Sequence, residues 1–230
     1  MEKVLNIAII LASGTGSRAK SEIPKQFVKI QGKTILEYSI SAFEKNENID
    51  EIMVVVCPDY IKKMQDITSK YKKVKYIVKG GTIRKESSYN GIMALNYSEA
   101  NVLIHDCARP FVTQKIINDC INALKIHSAV GVAIKCTDTI IEVQDNIIKN
   151  IPKRSSLSSI QTPQCFKLSL IKKAHELSKG DVDFTDDCGL ILKHNLANIF
   201  VVDGDNKNFK ITYSEDFLIA NEIIKKCETI

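Results

Sequence analysis

The chain has 230 residues, of which 44% are hydrophobic and 26% are charged, and its formal net charge is +5. This composition is ordinary for a globular protein and excludes a disordered or fibrous chain. The basic excess is spread along the chain, without a basic stripe interleaved with aromatic residues, so we expect no nucleic-acid partner. Part of the excess would suit a cleft for anionic substrates.

Seven cysteines and four histidines lie at wide spacings, without a CxxC pair. This spacing predicts neither a disulfide framework nor a zinc site, and it is typical of reduced, packed thiols in a cytoplasmic protein. The apolar run at residues 4–12 is too short to span a membrane and leads into a glycine-rich loop. It predicts a first buried strand rather than a signal peptide, and no membrane partner.

Short β-rich apolar runs alternate with longer amphipathic stretches along most of the chain. Strands are predicted at residues 7–11, 51–57, 74–78, 102–105, 130–134 and 199–202. Helices are predicted at residues 34–43, 60–71, 84–95, 116–126 and 168–177, shortly after Thr185, and from Ser214 onward. This order predicts an α/β fold with a mostly parallel sheet covered on both faces. In such sheets ligands bind beyond the carboxyl ends of the strands, so the loops there are the candidate sites.

The segment at residues 137–159 interrupts this alternation. Runs of β-forming residues at 138–143 and 147–151 flank Gln144-Asp-Asn146, which predicts a hairpin. This arm is expected to be either a surface decoration or a contact with another subunit. Because no linker or repeat is visible, residues 1–230 are predicted to form a single domain with one arm.

The loop after the first predicted strand is rich in glycine and cations. Gly14 and Gly16 allow backbone amides to approach a phosphate closely, and Arg18 and Lys25 add two permanent positive charges. The segment 14–19 also fits the relaxed dinucleotide fingerprint, but Pro24 interrupts the helix that should open directly from the glycines. A triphosphate is therefore favoured, with an NAD-dependent dehydrogenase as a distant alternative and a non-catalytic nucleotide-binding protein as another.

Later loops supply further polar groups. The segment 80–88 joins a glycine pair to Arg84 and Ser88, which would suit a base or a phosphate, although an ordinary turn and helix cap is the simpler alternative. Asp106 and Arg109 follow a central predicted strand, where charge is costly unless it is paired or used. Lys210, after the last predicted strand, offers another cation, although a lone lysine is usually solvated surface.

Five segments, in order, resemble the 2-C-methyl-D-erythritol 4-phosphate cytidylyltransferases and the closely similar ribitol-5-phosphate cytidylyltransferases. They are Gly14-Thr-Gly-Ser-Arg18 with Pro24-Lys-Gln26, Gly80-Gly-Thr-Ile-Arg84, His105-Asp-Cys-Ala-Arg-Pro110, Gln161-Thr-Pro-Gln164 and Asn208-Phe-Lys-Ile-Thr212. The ordered set is highly specific and covers essentially the whole chain. The resemblance implies a Rossmann-like, three-layer nucleotidyltransferase fold of the glycosyltransferase-A type, with a protruding β-arm. It also implies a homodimer formed through the arm, and Mg²⁺ accompanying CTP.

The resemblance further implies roles for individual residues. The catalytic residues would be Arg18, Lys25 and Lys210. The CTP-binding residues would be Ala12, Ser13, Gly14, Thr15, Gly16, Gly81, Arg84, Ser88 and Asp106. The acceptor-binding residues would be Asp106, Arg109 and Lys210, together with Thr139 and Arg154 from the arm of the partner subunit. The metal ligands stay unassigned: Mg²⁺ would be carried by the CTP phosphates, with Asp106 as a candidate contact.

The acceptor is suggested by two positions in the arm. Methylerythritol-phosphate enzymes typically carry a lysine where this chain has Ile141, and Ile151-Pro-x-Arg154 resembles the ribitol-phosphate enzymes of teichoic acid and capsule synthesis. The preferred product is therefore CDP-ribitol, with the methylerythritol-phosphate reaction of isoprenoid synthesis as the alternative. Two departures from the family pattern are Cys107, where alanine is usual, and Phe209, where isoleucine is common. We expect Cys107 to be a small packed residue rather than a nucleophile.

Overall fold

The structure is a computed structural model and describes residues 3–14, 23–181 and 184–228, with side chains through residue 226. Its strands are β1 (Leu5–Ala12), β2 (Lys29–Ile30), β3 (Lys33–Thr34), β4 (Glu51–Val56), β5 (Val74–Lys79), β6 (Ala100–Asp106), β7 (Ala129–Lys135), β8 (Glu142–Gln144), β9 (Ile147–Asn150), β10 (Ser158–Lys167) and β11 (Phe200–Asp203). Its helices are α1 (Ile35–Glu44), α2 (Ile61–Thr68), α3 (Arg84–Met93), α4 (Gln114–Ala123), α5 (Leu168–Leu177), α6 (Cys188–Lys193) and α7 (Ser214–Glu228). All the strands and helices expected from the sequence pattern are present, with ends that differ by a few residues.

Seven strands form one central sheet in the order β11-β7-β10-β6-β1-β4-β5. Pairing is parallel except at β10, which runs antiparallel to both β6 and β7. In this register Leu11 of β1 lies beside Asp106 of β6, and Ala12 lies beside Val56 of β4. The carboxyl ends of three neighbouring strands therefore meet at one edge, which is where the loops with candidate functions converge.

Strand β10 was not expected from the sequence, which suggested a polar end of the arm at this place. Two sequence features argue against a strand here: the first half of the segment is polar, and the segment contains Pro163. In the structure Pro163 follows Thr162 through a cis peptide bond. Proline cannot donate to the ladder and is confined to edges and bulges in sheets, so it argues against a central strand. Here the pairing with β7 is interrupted between Gln161 and Cys165, and the interruption accommodates the proline.

Two hydrophobic clusters cover the two faces of the sheet. Side chains of β1 alternate between them, with Ala8 and Ile10 in the first cluster and Ile7 and Ile9 in the second. Helices α1, α2, α4 and α7 contribute buried residues to the first cluster, and α3, α5 and α6 contribute to the second. The predicted three-layer architecture is confirmed.

Helix α1 holds the loop that follows Asp106. It begins at a capping box, in which the Thr34 hydroxyl accepts a hydrogen bond from the Glu37 amide at 3.2 Å and the Glu37 carboxylate accepts from the Thr34 amide at 2.8 Å. One turn further on, the buried Ser39 hydroxyl donates to the Cys107 carbonyl oxygen at 2.8 Å. The loop that follows Asp106 is thereby fixed to the helix.

The predicted arm is present as a hairpin of β8 and β9. Asp145 and Asn146 form its turn with positive φ angles of 52° and 61°, which asparagine and aspartate tolerate better than most residues. Every residue from 137 to 151 is exposed. None of the helices in the described part of the chain is long and apolar enough to cross a membrane. The six cysteines whose side chains are described all have free thiols.

Candidate active site

A cavity of about 580 Å³ lies at the carboxyl ends of the parallel strands. Its volume is in the range of small-molecule and cofactor sites. Eight of the residues singled out from the sequence line it: Ala12, Ser13, Gly14, Lys25, Gly81, Arg84, Asp106 and Lys210. These residues come from loops that are far apart in the chain, and the parallel sheet brings them together.

The remaining seven candidate residues fall into two groups. Thr15, Gly16 and Arg18 are outside the described residues. Ser88, Arg109, Thr139 and Arg154 are described, but they are absent from the cavity lining.

Asp106 is the central carboxylate of the site. It is 8% exposed, and its two oxygens accept from Arg84 Nε at 3.0 Å and from Lys210 Nζ at 2.7 Å. Burial alone would raise the pKa of Asp106, but Arg84 and Lys210 overcome this effect and hold the pKa well below its usual range. The carboxylate is therefore ionised at neutral pH, and it holds the Lys210 ammonium at the cavity.

Arg84 links Asp106 to a second buried carboxylate, Asp187. Arg84 Nη1 donates to Asp187 Oδ2 at 2.8 Å. Burial tends to raise the pKa of Asp187, but Arg84 and His175 and then Ser88 outweigh it and lower the pKa to about 2. The two carboxylates in turn raise the pKa of the Arg84 guanidinium despite its burial.

Ser88 belongs to this buried network and does not face the cavity. It is 0% exposed and its hydroxyl donates to Asp187 Oδ1 at 2.5 Å. The preceding residue, Ser87, accepts from the Ser13 hydroxyl at 2.7 Å and from the Gly81 amide at 3.1 Å. Successive residues of an α-helix are rotated by about 100°, so a one-residue offset changes the face that a side chain occupies. Ser87 was not identified from the sequence. It is the serine of α3 that connects the loop after β1 to the loop after β5.

The glycine pair allows these loops to approach closely. A Cβ atom at Gly80 would lie 2.4 Å from Ser13 Cβ, and one at Gly81 would lie 2.2 Å from Glu86 Cβ. A side chain at either position would force its neighbour to move. Gly80 thus lets the loop after β5 contact the loop after β1, and Gly81 lets it contact the start of α3.

Lys25 lies in a short 3₁₀ turn and is joined to the far end of the chain. Its Nζ donates to the Ile211 carbonyl oxygen at 3.0 Å, and the neighbouring Gln26 amide donates to the Ala12 carbonyl oxygen at 2.9 Å. These contacts place the Lys25 ammonium on the same cavity as Lys210.

The segment Gln161-Thr-Pro-Gln164 organises the loops around Asp106, although the sequence alone assigned it no role. The Thr162 hydroxyl accepts from the Asp106 amide at 3.0 Å and contacts His105 Nδ1 at 3.1 Å. Gln161 Oε1 accepts from Asn208 Nδ2 at 3.1 Å, and Gln164 Oε1 accepts from the Asp187 amide at 2.9 Å. Three side chains within four consecutive positions of β10 therefore orient three loops.

His105 is a neutral structural residue. It is 0% exposed, and burial lowers its pKa to about 4. Its Nε2 lies 3.0 Å from the Arg109 carbonyl oxygen, which can only accept, so the proton is on Nε2 and Nδ1 accepts from Thr162. Hydrogen-bond geometry and pKa agree, and His105 is not available as a general base at neutral pH.

Two further predictions concern residues close to Asp106. Arg109 Nη1 donates to the Asn208 carbonyl oxygen at 2.8 Å, so this guanidinium fixes the segment that carries Lys210. Burial lowers the pKa of Arg109. Burial also raises the pKa of the Cys107 thiol to about 12, so Cys107 is a packed thiol and not a nucleophile, as expected.

The two arm residues form a separate group. Thr139 and Arg154 are both exposed, and Arg154 Nη1 donates to the Thr137 carbonyl oxygen at 3.1 Å. The arm thus carries Arg154 next to the strand segment that leads to Thr139. Their predicted contact with an acceptor requires the cavity of a second subunit.

The described side chains do not form a protein-borne magnesium site. No group of three or more potential ligands occurs among them, and both oxygens of Asp106 are engaged by cations. Mg²⁺ usually binds one or two carboxylates together with substrate phosphates. The residues described here would be compatible with an ion that arrives bound to a triphosphate.

Comparison with known proteins decides the family. The model described as IspD, 2-C-methyl-D-erythritol 4-phosphate cytidylyltransferase, matches residues 6–226. The chain belongs to this family. It is therefore a nucleotidyltransferase of the cytidylyltransferase type, and the dehydrogenase alternative is set aside.

Relatives of this cytidylyltransferase carry two different names. A 2-C-methyl-D-erythritol 4-phosphate cytidylyltransferase of Clostridium botulinum is 40% identical, over 96% of this chain and 98% of its own length. The bifunctional ribulose 5-phosphate reductase/CDP-ribitol pyrophosphorylase Bcs1 of Haemophilus influenzae is also 40% identical, over 98% of this chain, which spans only 49% of that protein. The crystal structure of 4-diphosphocytidyl-2C-methyl-D-erythritol synthase from Anaerococcus prevotii superposes with a TM-score of 0.86 at 32% identity, over 96% of each chain. The predicted fold class is confirmed, whereas these similarities leave the acceptor open.

Proposed function

We propose that this cytidylyltransferase transfers CMP from CTP to D-ribitol 5-phosphate, forming CDP-ribitol and releasing pyrophosphate. The observation that carries the choice of acceptor is the arm sequence, in which Ile141 replaces a lysine and Arg154 follows Ile151-Pro-Lys. The similarity to the CDP-ribitol pyrophosphorylase over nearly the whole chain supports it.

The cavity suits the CTP half of this reaction. The loops that carry Ser13, Gly14 and Gly81 would enclose the nucleotide with backbone amides, while Lys25 and Lys210 face the phosphates as cations. Arg18 would add a further positive charge from the same loop. Arg84 has Nε and Nη1 engaged by carboxylates, so its role would be to hold Asp106 as much as to contact CTP.

The chemistry needs positioning and charge more than proton transfer. An oxygen of the acceptor's phosphate, already anionic at neutral pH, attacks the α-phosphorus of CTP. A new P–O bond forms, the bond between the α-phosphorus and the bridging oxygen breaks, and pyrophosphate leaves with the electron pair. Lys25 and Lys210 would stabilise the negative charge that moves onto the leaving group. The neutral, buried His105 is consistent with a reaction that requires no general base.

Magnesium is part of the proposal as an ion bound to CTP. It would neutralise phosphate charge in the cavity, and none of the contacts described above depends on it. Dependence of turnover on Mg²⁺ at fixed CTP concentration tests this part.

We further propose that the functional unit is a homodimer joined through the arm. Six aliphatic side chains of the arm are between 42% and 59% exposed: Ile140, Ile141, Val143, Ile147, Ile148 and Ile151. Such a concentration of exposed apolar surface marks an interaction site, and a second copy of the arm would cover it. Thr139 and Arg154 would then bind the acceptor phosphate in the partner's cavity.

Subunit mixing tests the shared site. Lys25→Ala disables a cavity and Arg154→Ala disables an arm, so each homodimer is expected to be impaired. A mixed dimer holds one cavity in which both residues are intact, and random exchange should restore roughly a quarter of the wild-type rate when the acceptor concentration is well below its KM. If mixing restores nothing although native mass spectrometry shows mixed dimers, Arg154 does not act across the interface.

The second candidate acceptor is 2-C-methyl-D-erythritol 4-phosphate. It is favoured by the name of the family model and by the Clostridium relative, whose identity to this chain equals that of the CDP-ribitol enzyme. The absence of the arm lysine at position 141 argues against it.

One assay separates the two acceptors. Pyrophosphate release is followed with CTP and Mg²⁺ while ribitol 5-phosphate and methylerythritol 4-phosphate are offered in parallel, and GTP serves as the nucleotide control. A higher kcat/KM with ribitol 5-phosphate is expected. A higher value with the second acceptor overturns the substrate assignment.

A further inference from the structure

Asp187 is a buried carboxylate that the proposed reaction does not use. It directly precedes α6 and is 1% exposed. Placing a carboxylate inside a protein is costly unless it is paired and hydrogen-bonded. Asp187 is both, because its oxygens accept from Arg84 Nη1 at 2.8 Å and from the Ser88 hydroxyl at 2.5 Å.

The backbone at Asp187 is also fixed. Its amide donates to Gln164 Oε1 at 2.9 Å, and the next amide, that of Cys188, donates to the same oxygen at 3.0 Å. Gln164 Nε2 donates to Asp186 at 3.0 Å. The carboxylate is therefore anchored to β10 and cannot follow Arg84 if Arg84 moves.

Arg84 transmits this anchoring toward the cavity. Its planar guanidinium has Nη1 on Asp187 and Nε on Asp106, and two contacts at different edges of a rigid plane determine its orientation. The third nitrogen, Nη2, is buried and has no hydrogen-bond partner within the described residues. Leaving a buried donor unmatched is costly, so this orientation of the guanidinium depends on its ion pairs with Asp187 and Asp106.

The charges alternate from Asp187 through Arg84 and Asp106 to Lys210. Lys210 is the end of this series that lines the cavity, and its ammonium is 2.7 Å from Asp106 Oδ2. Resting on the proposed function, we infer that Asp187 is a positioning residue, which fixes Arg84 and Asp106 and thereby holds the Lys210 ammonium where it acts on the CTP phosphates.

A double-mutant cycle between Asp187 and Lys210 tests the inference. Asp187→Asn is nearly isosteric and is expected to lower kcat about 10- to 100-fold, the scale for a misplacement near 1 Å. Lys210→Ala is expected to lower kcat about 100-fold. In the Lys210→Ala background, Asp187→Asn should lower kcat by less than about a further threefold, because the group that Asp187 positions is already missing.

A role in folding alone would give a different result, because the two losses in kcat would then multiply. Asp186→Asn is the matched control: it weakens the same loop at Gln164 but does not touch Arg84, and its kcat should stay within about threefold of wild type. Multiplying losses, or an equal loss in Asp186→Asn, overturn the inference. An unimpaired Lys210→Ala variant does so too.

A milder variant covers the case in which Asp187→Asn does not fold, as judged by circular dichroism. Ser88→Ala removes one hydrogen bond to Asp187 and should lower kcat a few-fold, again without a further loss in the Lys210→Ala background. The failure of the inference is distinct from that of the proposed function. If the wild-type protein releases no pyrophosphate with either acceptor, the proposed function fails, whereas multiplying losses in an active enzyme remove only the role of Asp187.

Discussion

Beside the cavity, two buried carboxylates are paired with cations, whereas the residues of the arm at 137–159 lie almost entirely in solvent. Asp106 and Asp187 are each less than 10% exposed and share Arg84 between them. In the arm, by contrast, Arg154 is exposed, and its guanidinium donates to the backbone carbonyl oxygen of Thr137 in the same arm.

The difference separates the two halves of the proposed reaction. Groups proposed to act on a triphosphate are held by contacts within one chain, since misplaced charge in a buried site is costly. Groups proposed to select the acceptor lie on a surface that can change without disturbing the core, and we propose that a second copy covers this surface. The predictions below test this separation, from the largest expected effect to the smallest.

Loss of a cavity cation should have the largest effect. Lys25→Ala removes a charge that stabilises the transferring phosphates, so kcat should fall about 100-fold or more. The same scale is expected for Arg18→Ala. The matched control is Lys29→Ala, an exposed lysine of the neighbouring β2, which should stay close to wild type in a pyrophosphate-release assay. Near-normal turnover of Lys25→Ala contradicts the assignment.

Burial of His105, close to Asp106, should also affect how the stability of the protein depends on pH. Because the pKa of His105 is about 4 when folded and about 6.5 when unfolded, only the unfolded chain takes up this proton between those values. The free energy of unfolding should therefore fall by about 3 kcal/mol as the pH drops from 6.5 to 4.

Urea unfolding of the wild type and of His105→Gln measures this term. The variant should lose less stability across that window, while the two proteins should follow parallel curves between pH 7 and 8, where His105 is neutral in both states. Identical slopes from pH 6.5 to 4 contradict the prediction.

An arm cation should affect the acceptor alone. Arg154→Ala removes a charged hydrogen-bonding group, and we expect the KM for ribitol 5-phosphate to rise about 10- to 100-fold while the KM for CTP changes less than about twofold. Lys149→Ala, an exposed arm lysine on β9, is the control and should change neither constant. An equal rise in both KM values would mean that the arm and the cavity are not separate.

The smallest effect is expected at the position that distinguishes the two acceptors. Ile141→Lys restores the lysine typical of methylerythritol-phosphate enzymes, and the ratio of kcat/KM for the two acceptors should shift a few-fold toward methylerythritol 4-phosphate. Ile140→Lys places the same charge one residue earlier and should leave the ratio unchanged. A shift of equal size in both variants would mean that the effect comes from the added charge and not from its position.

Much of this architecture follows from local pattern. Each strand and helix predicted from the periodicity of the sequence is present in the structure. The periodicity is informative because burial of one face imposes a fixed repeat on apolar residues. The rule that ligands bind beyond the carboxyl ends of parallel strands then selected loops, and eight residues from them line one cavity. The exposed hairpin was also visible, since its turn residues tolerate positive φ angles.

The failures occurred where a residue's role depends on partners distant in the chain. Strand β10 was hidden by Pro163 and by polar side chains that serve Asp106, Asn208 and Asp187 rather than solvent. Ser88 was named and Ser87 was not, and only the tertiary structure shows which of the two adjacent serines contacts Ser13 and Gly81.

By itself, the sequence determined the alternating α/β order and the resemblance to cytidylyltransferases, and it predicted that the first loop binds phosphate. These depend on residue type and spacing, which are local properties. Only the tertiary structure decided that Asp106 is held between Arg84 and Lys210, and that Asp187 lies behind Arg84. A buried charge is tolerated only with its partners in place, and here those partners are 22 to 104 residues away along the chain.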